Sequence, residues 1–276
     1  MSSLESISLI ASLVSVVLAI MFAIFAFVNS RSNTMTAAKP RSAMSLIARI
    51  LTMLILVSIT LTIVFRVIQT GHGPFSNMYE FALAFAWGIV VMGIFFEWHY
   101  KTAAVKNIGL IVALLLLIFA MVKHAEPEPL VPALQQSLLL SVHVASAVVA
   151  YGTLTIGFGA AILFLIQNRR NSPWFPDKEI FNTMSYQSVA IGFPFLTLTI
   201  VLGALWADIA WGRYWGWDPK ETASLVTWLL YAAYMHARLM RGWRGTKTAI
   251  LLIIGFGAIL LTFFGNYIFT GLHAYL

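Results

Sequence analysis

The sequence predicts an all-α integral membrane protein of about eight transmembrane helices, with both termini on the outer side. Composition, the length of the apolar runs and the placement of basic residues carry that expectation. Of 276 residues, 60% are hydrophobic and 10% charged, with a mean hydropathy of +0.87, far from an ordinary soluble domain. A bilayer core of about 30 Å needs about 20 apolar residues per helix. Eight segments qualify, at about 7–28, 44–68, 78–97, 104–122, 136–166, 188–207, 219–239 and 248–272. When their connections are assigned alternately to two sides, one side receives only Arg66, Lys123, Arg213 and Lys220. The side rich in Lys and Arg is the inner one by the positive-inside rule. The net charge of +7 is then membrane-orienting bias and contact with the lipid bilayer, and no nucleic-acid surface is implied.

The first segment lacks a basic n-region and a small-residue cleavage site, so it reads as a retained span. With the second it makes an N-terminal pair of helices, 1–70. Residues 71–276 form the functional core, and the whole of 1–276 reads as one polytopic membrane domain. The longest connection, about 167–187, leaves no room for a soluble domain. The third segment opens with "GPFSNMYEFALAFAW", Gly73 to Trp87. Glu80 falls in its first turn, where a carboxylate is favoured by the helix dipole, or where it makes a polar contact to a site. The chain has no cysteine, which excludes disulfides, thiolate metal ligands and a thioether-linked haem of its own. No phosphate-binding glycine loop and no duplicated halves are present.

Histidines are sorted by depth. His143 lies 23 residues before Ile166 in the fifth segment, roughly 35 Å along a helix from the inner boundary. His273 lies 25 residues after Thr248 in the eighth, roughly 37 Å along. Both reach the outer interface. His236, 17 residues beyond Pro219 and about 25 Å along, lies near the inner edge, where interaction with its own helix terminus is the competing role. His99 is an inner-loop residue; His72 and His124 are outer-loop residues.

Between the sixth and seventh segments stands "WADIAWGRYWGWDPKE", 206–221. Asp218, Pro219 and Glu221 form an N-cap, first-turn proline and capping-box partner. Trp206, Trp211, Trp215 and Trp217 read either as an interfacial belt or as a platform for a large flat ligand. A porphyrin would suit the second reading, with Arg213 or Lys220 pairing its propionates and Arg66 and Lys123 as further outer candidates.

These residues resemble a known family. The stretch 206–239 is similar to the tryptophan-rich WWD signature of haem-handling membrane proteins of cytochrome c maturation. Within that superfamily the chain resembles the CcsA/ResC-type (CcsB in some naming schemes) system II cytochrome c biogenesis proteins. "SNMYE" at 76–80, "SVHV" at 141–144 and "GLHAYL" at 271–276 match that family's other landmarks, and the resemblance runs over about residues 70–276. It implies haem b as substrate and iron ligation by His143 and His273 at an outer site. It also implies a haem contact at His236 on the inner side, shared with a CcsB/ResB-type membrane subunit. The tryptophans, Asp218, Arg213 and Glu80 would surround the cofactor. The implied activity is that of a cytochrome c haem lyase (synthase) subunit acting with its partner on the CXXCH of an apocytochrome c. Thiol-reducing proteins are expected partners, and the membrane is bacterial plasma or thylakoid. Ala223 stands where the family pattern has a tryptophan, which is expected to loosen one wall of the platform. The alternatives are a CcmC-like haem-loading protein and a haem exporter without attachment activity. The exporter needs a continuous polar path, for which the segments show few residues.

Overall fold

A computed structural model describes residues 3–32, 41–126, 137–173 and 175–268. The chain is all-helical among these residues: α1 (Ser3–Ser32), α2 (Arg41–Thr70), α3 (Met78–Tyr100), α4 (Ala104–Val122), α5 (Ser137–Arg170), α6 (Lys178–Trp211), α7 (Pro219–Leu239) and α8 (Thr246–Ile268). The eight expected helices are all present. The largest departure is α6, which starts ten residues before the expected 188. Asp177 caps it, its carboxylate accepting from the Glu179 amide at 2.7 Å. Phe181, Met184 and Ser188 then give a buried face at helical spacing. The connection α5–α6 is therefore short, not a twenty-residue loop. Residues 269–272 of the expected eighth span lie outside the described residues.

Seven of the eight helices are long and apolar enough to cross a membrane, and the chain is an integral membrane protein. α7 is the exception, because its run is interrupted by Lys220, Glu221, Ser224, Thr227, His236 and Arg238.

Helix α5 is the axis of the bundle. It packs most extensively on α6 and also on α3, α8 and α4, while α1 and α2 pair and lean on α3 and α4. The α3–α5 crossing is drawn tight by two glycines. A Cβ on Gly88 would lie 2.8 Å from the Val148 carbonyl oxygen, and one on Gly152 would lie 2.8 Å from the Gly88 carbonyl. Such small-residue crossings let helix backbones approach closely in a membrane. One core, around Leu154, Phe181, Tyr231 and Leu252, joins α5 through α8. Another, around Ile55, Tyr79, Leu83 and Leu117, joins α1 through α4. A third, around Phe85, Val144 and Trp206, sits at one end of the bundle. That end, where α6 passes to α7, is the tryptophan end.

Arg66, Lys123, Arg213 and Lys220 all belong to the tryptophan end, and among the described residues most other basic side chains belong to the far end. A buried polar knot ties the tryptophan end of the first four helices. Glu80 accepts from Arg66 Nε at 2.8 Å and from the Ser76 amide and hydroxyl at 2.9 and 2.8 Å. Glu5 of α1 accepts from Tyr79 Oη at 2.8 Å and from Gln69 Nε2 at 2.9 Å.

Candidate functional site

The α6–α7 connection is built by its own caps. Gly212 closes α6 in the left-handed conformation (φ 71) with its amide bonded to the Asp208 carbonyl at 2.8 Å, the conformation a glycine adopts without Cβ strain. Asp218 caps α7 by accepting from the Lys220 amide at 2.9 Å. The Glu221 carboxylate reaches back to the amides of Asp218 (3.1 Å) and Gly216 (2.8 Å). The expected capping box is therefore present, and Glu221 also moors the loop that carries Trp215.

Below this loop lies a cleft between α3, α5, α6, α7 and α8. It encloses about 940 Å³ of empty space, its open mouth included. Its walls are aromatic: Phe81 and Phe85 from α3, Tyr151 from α5, Trp206 and Trp215 from the α6 side, and Phe263 from α8. Polar groups are few, among them His143, Thr199, Lys220 and Glu221.

His143 is fixed by its second nitrogen. Nδ1 lies 2.9 Å from the Thr199 carbonyl oxygen, so it donates to that carbonyl and leaves Nε2 with a lone pair. This backbone-anchored imidazole is the arrangement that orients a metal-binding histidine. Gly203 makes the room: a Cβ there would stand 2.9 Å from His143 Cε1. Thr199 Oγ1 and Ser146 Oγ, 2.9 Å apart, complete the joint between α5 and α6. Lys220 brings its ammonium to the cleft with Nζ 5.2 Å from the Phe81 ring centroid, and no salt bridge to it is present among the described residues.

The structure brings together only some of the expected site residues. His143, Trp206, Trp215 and Lys220 share the cleft. Trp211 instead packs edge-on against Trp206, centroids 4.8 Å apart. Trp217 takes a left-handed backbone (φ 56), is 69% exposed, and does not line the cleft. Arg213 is exposed and lies over Gly216, where a Cβ would be 2.9 Å from its Nε. Neither it nor Asp218, which serves as the α7 cap, lines the cleft. Glu80 is fully buried and committed to Arg66 and Ser76, outside the cleft. Arg66 is committed in turn, also donating to the carbonyls of Ala125 and Glu126. Ala223 is not a lining residue. His236 is exposed near the far end of α7, and His99 sits on α3, which does not pack extensively on α7. His273 lies outside the described residues.

Tyr151, Thr199, Gly203 and Ser224 were missed from the sequence. The first signal for them is spacing: His143, Ala147 and Tyr151 recur at four-residue intervals, on one face of α5. No group of three or more His, Asp or Glu side chains converges as a multi-ligand metal centre among the described residues.

Fold and site together define a polytopic helical membrane protein with an aromatic cleft at one end of the bundle, holding one oriented imidazole and one ammonium. Residues 75–273 match the family described as "Cytochrome C assembly protein". The chain is 36% identical over 261 residues to the cytochrome c biogenesis protein CcsA of Prochlorococcus marinus (strain MIT 9215), covering 83% of this chain and 84% of that one. It is 38% identical over 255 residues to CcsA of Chlamydomonas reinhardtii (88% and 70%) and 37% identical over 253 residues to CcsA of Guillardia theta (80% and 83%). This chain belongs to the cytochrome c assembly protein family, as the tryptophan-rich stretch led us to expect. Among solved structures, the cytochrome c heme lyase CcmF superposes with a TM-score of 0.70 at 19% identity, over 95% of this chain and 46% of that one. That likeness is one of fold, and the chain spans less than half of that protein.

Proposed function

We propose that the chain is the haem-handling subunit of a system II cytochrome c synthase. Haem is taken up at the far, inner end and presented in the cleft at the outer end to the CXXCH of an apocytochrome c. Each substrate thiol then adds across a haem vinyl group: a C–S and a C–H bond form, and the S–H bond and the vinyl π bond are lost. The thiols come from the substrate, which agrees with a chain that has no cysteine. The observation that carries this reading is His143, whose Nδ1 is tied to a backbone carbonyl so that Nε2 is available to iron inside an aromatic cleft.

The residues present fit the cargo. Apolar rings suit a porphyrin face, and Lys220 supplies a cation for a propionate. Haem brings the iron and the vinyl groups; the chain binds, orients and shields them. His143 and His273 would hold the iron in this reading. An exposed His236 leaves room for an opposing ligand from a CcsB/ResB-type subunit. The test is the visible spectrum and haem content of the purified chain with His143→Ala, His273→Ala and His236→Ala variants. A low-spin six-coordinate haem lost in the first two variants is the expected result. A wild-type chain that carries no haem, even when made with its partner and ample haem, overturns the reading.

A further inference from the structure

One face of α7 remains unexplained by the cleft. Lys220, Ser224, Thr227, Tyr231, Tyr234 and Arg238 follow one another at intervals of four, three, four, three and four residues, the spacing of a single helix face. The face points into the protein: Thr227, Tyr231 and Tyr234 are 0, 1 and 0% exposed. From Lys220 to Arg238 it runs about 27 Å along the axis, close to the roughly 30 Å of a hydrocarbon core. Every member carries a hydrogen-bond donor, those of Ser224 and Thr227 being given to the Glu221 and Ala223 carbonyls of their own helix; the two ends carry cations, and no member is acidic.

The middle of the stripe is chemically incomplete. Tyr231 Oη and Tyr234 Oη are buried with no hydrogen-bond partner, as is Ser185 Oγ on the neighbouring α6. A buried hydroxyl without a partner is a standing cost, since a phenylalanine would fill the same volume without it. At the cleft end, Lys220 and Ser224 of the stripe are themselves lining residues. At the other end, Arg238 Nη1 donates to Asn182 Oδ1 at 2.7 Å and its guanidinium lies 5.2 Å from the Tyr186 ring centroid, so further guanidinium donors remain. The stripe thus reaches from the far end to the floor of the cleft.

We propose that this stripe is a carboxylate track, along which the acidic edge of a flat apolar diacid passes between Arg238 and Lys220. The diacid is haem if the function proposed above holds, and the inference rests on that reading. The chemistry of the stripe selects the class of ligand. Proton and cation paths through membranes use Asp, Glu and His, whereas anion paths use Arg and Lys. A row of donors ending in cations at both ends matches a carboxylate. α7 packs more closely on α8 than on α6, and the α6–α7 seam holds hydrogen bonds from Trp228 Nε1 to Thr197 Oγ1 (2.9 Å) and from Arg238 to Asn182.

The test compares the full-length wild-type chain with the double variant Tyr231→Phe/Tyr234→Phe, made in cells that produce haem. Two quantities are read: haem per purified chain by Soret absorbance, and the Kd for haemin added to chain stripped of haem. Unchanged thermal unfolding of the double variant confirms that it folds. With two donors to a carboxylate removed, in-cell filling is expected to fall about tenfold or more, while the Kd for added haemin stays within about twofold, because the cleft is intact. In-cell filling at the wild-type level overturns the track. Parallel loss of filling and of haemin affinity also overturns it, since the hydroxyls would then serve the cleft itself. A wild-type chain that neither fills in cells nor binds haemin sinks the haem reading, an outcome distinct from both.

Discussion

Two sets of buried polar side chains are handled in opposite ways. Around Arg66, donors meet acceptors: Nε reaches Glu80 at 2.8 Å, Nη1 the Ala125 carbonyl at 2.9 Å, and Tyr79 reaches Glu5 at 2.8 Å. Around Tyr231 and Tyr234 the hydroxyls end without an acceptor. The first set fastens α1, α2 and α3 to each other and to the segment after α4. The hydroxyls of the second join no elements, although they are buried as deeply. A completed network reads as structure, and a pair of buried hydroxyls without acceptors reads as provision for something that brings the acceptors.

Removing a partner separates the two most sharply. Arg66→Leu leaves the carboxylates of Glu5 and Glu80 buried without their cation, and a loss of about 3–5 kcal/mol is expected, read as a collapse of the thermal midpoint in detergent. In the cleft, Gly203→Ala places a methyl group against the His143 ring at a cost of about 1–3 kcal/mol. Haem affinity should drop with helix content unchanged, whereas an unaltered affinity would show that the imagined imidazole position is not the one used. Tyr231→Phe and Tyr234→Phe remove no hydrogen bond present in the fold, so stability should stay within about 0.5 kcal/mol or rise. A clear loss in either would mean that these hydroxyls are structural after all.

The smallest effect concerns pH. His124, beside Tyr79 with ring centroids 5.1 Å apart, has its pKa held below the usual imidazole value, chiefly by burial. Its neutral form is therefore favoured in the folded chain. The unfolded chain takes up the proton first as pH falls below about 6.5, so stability is full above that pH and declines below it. Thermal midpoints across pH 5–8 should show a decline in the wild type that is reduced in His124→Phe.

The helices were legible because apolar runs and caps are local signals: Asp218-Pro219-Lys220-Glu221 announces α7 to the residue. The start of α6 was not, since Lys178, Glu179, Asn182 and Thr183 dilute the apolar run while Asp177 and the Phe181/Met184/Ser188 face still encode the helix. The site was legible in part. His143 and the tryptophan loop stood out by residue type, yet type alone could not tell inward Trp215 from outward Trp217, which a single left-handed backbone angle decides. Glu80 was placed near the site because its partner Arg66 lies fourteen residues away on another helix, and pairings of that kind leave no periodic trace. The α7 stripe was no easier to see. Its donors are spread one per turn and look sparse until they are wound onto one face.

The glycine contact between α3 and α5 has a bearing on the cleft above it. With the two backbones in close approach at Gly88 and Gly152, these helices have little between them to compress or rearrange, and they carry Phe81 and Phe85 on one and His143 and Tyr151 on the other. The cleft is a vice with one fixed jaw. Whatever is gripped there is measured against an unyielding wall, and any take-up in width falls to the jaw formed by α7 and α8.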